Sequence, residues 1–98
     1  MSTKGKKRVP KSVAQLIAYD AEGKKVLQRN MSLEKFYEGL DELIDSNDYR
    51  RERGIVRVSG KLYDSRGVLV QDFENQYGTD GKYRRGRAQF ENGTVQED

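Results

Sequence analysis

Ser32-Leu33-Glu34-Lys35-Phe36-Tyr37-Glu38-Gly39-Leu40-Asp41-Glu42-Leu43-Ile44-Asp45-Ser46 carries the strongest periodic signal in the chain. Leu33, Phe36, Tyr37, Leu40, Leu43 and Ile44 recur at the spacing of one helical stripe. The pattern predicts a single amphipathic α-helix over residues 32–46. Ser32 is placed to cap it, and Met31 and Phe36 occupy the two positions of a hydrophobic staple. Glu34 suits the positive end of the helix dipole. Gly39 costs up to ~1 kcal/mol relative to Ala in a helix interior, which calls for good packing around it. Ser46-Asn47-Asp48 is the expected end, with Tyr49 to Arg53 available for another turn.

On either side of this helix the period changes to two. Val13, Gln15, Ile17 and Tyr19 alternate with Ala14, Leu16 and Ala18, a strand with both faces at least partly covered. Asp20-Ala21-Glu22-Gly23 is a turn signal, and Lys24 to Asn30 is the return strand of a hairpin. Beyond the helix, Val56, Val58, Gly60 and Leu62 alternate with Ile55, Arg57, Ser59 and Lys61, a half-buried strand with a basic outer side. A turn at Asp64-Ser65-Arg66-Gly67 leads to a strand over residues 68–75. A further turn at Gly78-Thr79-Asp80-Gly81 leads to a strand over residues 82–90. Tyr-Asp-x-x-Gly followed by apolar residues and Gln occurs twice, from Tyr19 and from Tyr63. Shared turn chemistry explains the match. A duplicated β-β-α unit is the competing reading, and the second copy lacks a convincing helix.

The chain has 98 residues, enough for one domain. Val, Leu, Ile and Phe together make 21 of them, so the core is thin. The absence of Cys, His and Trp closes disulfides, thiolate or imidazole metal sites, and Cys or His catalysis. No apolar run is long enough for a membrane helix, and no secretory signal is visible, so a cytoplasmic location is expected. The expected fold is α+β: a small antiparallel sheet of four or five strands, in the order β-β-α-β-β-β, with the one helix on a face. Residues 1–11 read as a disordered basic arm, 12–90 as the domain and 91–98 as a frayed acidic tail. The expected core is Leu16, Ile17, Val26, Leu33, Phe36, Leu40, Leu43, Ile44, Val56, Val58, Leu62, Leu69 and Phe73. A core this thin also suits a homodimer, with residues 82–90 as an edge strand able to pair across it.

The net charge is only +3, but it is laid out in alternating blocks. Residues 1–11 carry +5, residues 32–48 carry −5, residues 49–67 carry +4 and residues 82–90 carry +4. The helix acids sit away from the apolar stripe on a convex face, which gives neither the convergence nor the burial that catalysis or metal binding needs. The calcium-loop, P-loop and dinucleotide fingerprints are absent. No enzymatic activity, metal or cofactor is expected. Basic residues interleave with aromatics: Arg57 and Lys61 share a strand side with Tyr63, and Arg84, Arg85 and Arg87 follow Tyr83. Arg grips phosphate and Tyr stacks a base. The first expectation is a nucleic-acid-binding module, for RNA or DNA, contacting mainly the phosphate backbone. Its candidate residues are Lys6, Lys7, Arg8, Arg57, Lys61, Tyr83, Arg84, Arg85 and Arg87. The second is a small regulator or inhibitor that docks on a larger protein, such as a nucleic-acid enzyme. It would dock through Glu38, Asp41, Glu42 and Asp45 or through the Arg-rich strand.

Overall fold

A computed structural model describes residues 13–90 and 95–97. The arm residues Lys6, Lys7 and Arg8 lie outside the described residues. The strands are β1 (Val13–Asp20), β2 (Lys25–Ser32), β3 (Ile55–Tyr63), β4 (Leu69–Tyr77), β5 (Tyr83–Phe90) and β6 (Val95–Glu97). Three short helices, α1 (Leu33–Gly39), α2 (Glu42–Asp45) and α3 (Asn47–Arg53), link β2 to β3. The strands form one sheet in the order β2-β1-β3-β4-β5-β6, and every neighbouring pair is antiparallel.

The α+β class and the hairpins are present, but the expected four or five strands and single helix are not. The sheet has six strands. The sixth, Val95–Glu97, falls in the segment read as a tail. It carries no apolar alternation and is held by backbone pairing to Arg87, Ala88 and Gln89. The helix is broken because residues that looked like helix interior act as caps. Leu40 takes the left-handed conformation (φ 42°) and its N–H donates to the Phe36 carbonyl, which ends α1. The Asp41 carboxylate accepts from the Leu43 N–H at 2.8 Å and starts α2. The Ser46 hydroxyl accepts from the Tyr49 N–H at 3.1 Å and starts α3. A capping side chain satisfies an orphan donor that a continuous helix would have bonded itself, so each cap offsets the cost of a break.

The core lies between the helices and one face of the sheet. Ala14, Leu16 and Ala18 of β1 face the helices, with Val58 and Leu62 of β3 and Phe73 and Tyr77 of β4. Phe36, Leu43 and Ile55 complete it. Leu33 and Ile44 are half-buried and pack against this core. Several other expected core positions are corrected: Ile17 and Val56 are half-buried outside it, and Val26, Leu40 and Leu69 are exposed. Ile17 lies on the sheet face away from the helices, while Leu40 is turned out by the break after α1. Val26 and Val56 are skipped by the strand pairing: Ala18 and Tyr19 pair with Leu27 and Lys25, and Tyr19 and Asp20 pair with Arg57 and Ile55. Such a bulge resets the alternation, and Ile55, read as outward, becomes fully buried. Val70 and Arg84 are skipped in the same way. The repeated Tyr-Asp-x-x-Gly segments are two hairpin turns. In each, the Asp carboxylate accepts two backbone N–H bonds, at 2.9 and 2.9 Å for Asp20 and at 2.8 and 3.0 Å for Asp64.

Arg50, on α3, is 1% exposed. Its Nε donates to the Gly81 carbonyl at 3.0 Å. One terminal nitrogen donates to the carbonyls of Leu43 (3.1 Å) and Ile44 (2.7 Å). The other donates to Asn47 Oδ1 (2.5 Å) and again to Gly81 (2.7 Å). The five guanidinium N–H groups therefore make five hydrogen bonds to four acceptors, the Gly81 carbonyl accepting two. The guanidinium also lies over the Tyr77 ring at 3.8 Å. Gly81 fits because it has no side chain: its φ is 83°, and a Cβ would lie 2.1 Å from the Asn47 carbonyl oxygen. Burial lowers the Arg50 pKa from its ordinary value, against the opposing pull of Tyr77 and Asp45.

Arg50→Ala leaves three buried carbonyls without donors and is expected to cost about 3–5 kcal/mol, read as a shift in the urea midpoint. Arg50→Lys keeps the charge but supplies three donors for five bonds, and is expected to fall between wild type and Arg50→Ala. Tyr77 gives a second test. Burial raises its phenol above the ordinary value, although the Asn75 hydrogen bond and the Arg50 charge oppose the shift. The unfolded phenol therefore ionises first, so this contribution is complete below about pH 10 and is lost as pH rises beyond it. Tyr77→Phe is expected to flatten the fall in the urea midpoint above about pH 10.

Candidate nucleic-acid interface

The helices cover one face of the sheet, and no described element covers the other. Register fixes what that open face presents, since directly paired residues share a side. Tyr19, Arg57, Gln76 and Arg85 form one row across β1, β3, β4 and β5. Ile17, Ser59, Glu74, Arg87 and Glu97 form the next, reaching β6. Gln15, Lys61, Asp72 and Gln89 form the third. Val13 pairs with Tyr63 at the far end of β1 and β3. Four of the sequence-designated cations, Arg57, Lys61, Arg85 and Arg87, thus meet on one surface with two tyrosines. They come from β3 and β5, which lie about 10 Å apart, or two strand spacings.

The acids of β4 run between these two basic strands. Glu74 lies 3.7 Å from Arg57, and Glu97 of β6 lies 3.4 Å from Arg87. Both pairs are well exposed, at 37% and 40% for the first and 59% and 62% for the second. Exposed pairs of this kind are worth about 0–1 kcal/mol and can exchange partners at little cost. Lys61 and Arg85 are exposed and make no ion pair with a described residue. The Arg57 guanidinium lies over the Tyr19 ring at 4.1 Å, which orients it on the face. Lys25 adds one more cation opposite Tyr19. Among the described residues the face therefore carries five cations against Asp72, Glu74 and Glu97. It can take an anionic chain and offer it aromatic rings.

Two designated residues fall elsewhere. Tyr83 pairs with Tyr77 on the helix-bearing side, with ring centroids 6.0 Å apart and planes at 72°. Arg84 is the residue that the β4–β5 pairing skips, and it is exposed. Tyr19 joins the face although it stands outside the basic segments of the sequence; its alternation with Ile17 is the signal that places it there.

The four acids offered for protein docking do not share a helix face. Glu38 is exposed on α1, while Glu42 and Asp45 are exposed on α2 across the break at Leu40. The Asp41 side chain is only 5% exposed. It caps α2 and pairs with Arg29 at 3.0 Å, and Arg29 also donates to the Tyr49 hydroxyl. Burial opposes the Arg29 charge, but the Asp41 hydrogen bond and charge, with Tyr49 and Glu42, raise its pKa overall. Among the described residues, no group of three or more carboxylates could hold a metal ion. No described helix is long and apolar enough to cross a membrane. No known protein family, curated protein or solved structure matches the chain.

The cations of the open face contribute little to folding. Arg57→Ala and Arg85→Ala are each expected to change the unfolding free energy by less than about 1 kcal/mol, measured by urea denaturation.

Proposed function

We propose that the protein is a non-enzymatic module that binds single-stranded nucleic acid on the open face of its sheet. One observation carries this reading: Arg57, Lys61, Arg85 and Arg87 converge with Tyr19 and Tyr63 on a face that no described element covers. An extended strand can lay its phosphates along the two basic strands and stack bases on Tyr19 of β1 and Tyr63 of β3. The contacts are mainly to the backbone, so the affinity is electrostatic and falls with salt. The run of bases at Lys4, Lys6, Lys7, Arg8 and Lys11 precedes β1 in sequence and adds long-range attraction. A cytoplasmic location belongs to this reading. The rival role, docking on a larger protein through the helix acids or the Arg-rich strand, has less support on its acidic side, because those acids sit on separate elements and Asp41 is committed to Arg29 and a helix cap.

Fluorescence anisotropy with labelled single-stranded RNA, single-stranded DNA and duplex DNA tests the proposal, at about 50 and about 200 mM salt. Micromolar or tighter binding of a single strand with a steep salt slope is expected. The double variant Lys61→Glu/Arg85→Glu is expected to weaken it and to make the slope shallower by about 1.4 for two lost phosphate contacts. No binding at low salt, or full binding by the double variant, overturns the proposal.

A further inference from the structure

The helix-bearing face of the sheet is only partly covered. The helices sit over β1, β2 and β3, and beyond them a cleft of about 290 Å³ opens above β4 and β5. Its lining includes Phe36 and Tyr37 of α1, Phe73 of β4 and Tyr83 of β5. These two tyrosines are 58% and 46% exposed, a high price in solvent contact for aromatic rings beside a core. Tyr37 meets Phe36 edge-on, with centroids 5.4 Å apart, so its ring is held in place. Tyr83 is held edge-on to Tyr77 and lies across Gly86, where a Cβ would fall 2.4 Å from its hydroxyl oxygen. The side-chain amides of Gln71 and Gln96 are also in the lining. Each amide offers both donors and an acceptor. The volume lies at the lower limit of the ~300–1,000 Å³ of ligand pockets, room for one planar ring system.

The cleft is joined to the open face at one place. β6 pairs only with Arg87, Ala88 and Gln89, so from Tyr83 to Gly86 the outer edge of β5 has no strand beside it among the described residues. At Gly86 the Tyr83 hydroxyl and the Asn75 side chain take the place that a Cβ would fill, which sets Tyr83 beside this open edge. A smaller depression of about 140 Å³ on the open face is lined by Glu74, Gln76, Arg85, Gly86, Arg87 and Glu97, and the last three of these also line the cleft. The exposed Arg87–Glu97 pair stands on this shared rim, where a phosphate can displace Glu97 from Arg87 at little cost.

We propose that the cleft between Tyr37 and Tyr83 takes one nucleobase of a single strand held on the open face, the strand passing the β5 edge at Gly86. This rests on the reading of the open face given above. The base stacks on the tyrosines, the amides of Gln71 and Gln96 meet its edge, and Arg85 and Arg87 hold the flanking phosphates.

The test compares wild type, Tyr37→Ala, Tyr37→Phe and Lys61→Glu/Arg85→Glu by anisotropy, with single-stranded RNA and DNA of one sequence over a range of salt. Tyr37 is exposed on α1, so its variants fold, which thermal unfolding checks. Tyr37→Ala is expected to lose about 5- to 150-fold in affinity, the range for one stacked base, with the salt slope unchanged. Tyr37→Phe is expected to restore most of the loss. Wild-type affinity in Tyr37→Ala, with the Lys61→Glu/Arg85→Glu variant weakened, overturns the cleft proposal and leaves the open face standing. A shallower salt slope in Tyr37→Ala also overturns it, because the lost contact is then to phosphate. Failure of the wild-type protein to bind either strand removes both proposals together.

Discussion

A buried guanidinium organises this molecule. Arg50 reaches from α3 to the end of α2 and to the β4–β5 turn, and each of its N–H groups has an acceptor there. Among the described residues no carboxylate forms an ion pair with it. The charge is accommodated by carbonyl dipoles and the face of Tyr77. This solution is directional. Five bonds from a planar group fix both the distance and the tilt of α3 over the sheet, which a purely apolar contact would leave adjustable. Because Gly81 is one of the anchors, the hairpin that carries β5 is tied to the helices. The cations of β5 and the walls of the Tyr37–Tyr83 cleft take their places from that tie.

The sheet is asymmetric in what its faces must do. The helix side is dry over β1 and β3, where Ala14 and Ala18 are small enough for the helices to approach and Leu16 fills the space between them. The open side has no second layer, so its strands carry Gln, Ser, Lys and Arg between a few half-buried apolar residues. Acids on β4 lie between bases on β3 and β5, which lowers repulsion between those two strands. The same arrangement keeps the bases in two separate lines rather than one dense patch.

The order of hairpin, helical segment and further strands was legible from hydrophobic period and turn residues, and so was the basic side of β3. What the pattern hid has three physical sources. Bulges at Val26, Val56, Val70 and Arg84 reset the period of two, which moved Ile55 inward and took Arg84 out of the paired rows. The left-handed turn at Leu40 and the cap at Asp41 cut a helix whose apolar spacing was intact, because a side chain that bonds the backbone competes with helix continuation regardless of the stripe. Strand order, finally, is a long-range property. That β1 lies between β2 and β3, and so brings Tyr19 against Arg57, cannot be read from either segment alone.

The bulge at Val26 has a bearing on how the molecule behaves in company. It lies in β2, the longer of the two outermost strands, whose far side has no neighbouring strand among the described residues. A regular eight-residue edge would be a template for the next molecule, and sheets joined that way grow without limit. An extra residue near the start of the strand bends it and disrupts the row of donors and acceptors, and Lys25 beside it adds a charge that an incoming strand would have to bury. Continuation of the sheet from one molecule into another is thereby opposed at this end, and a single misplaced valine helps to keep the particle finite.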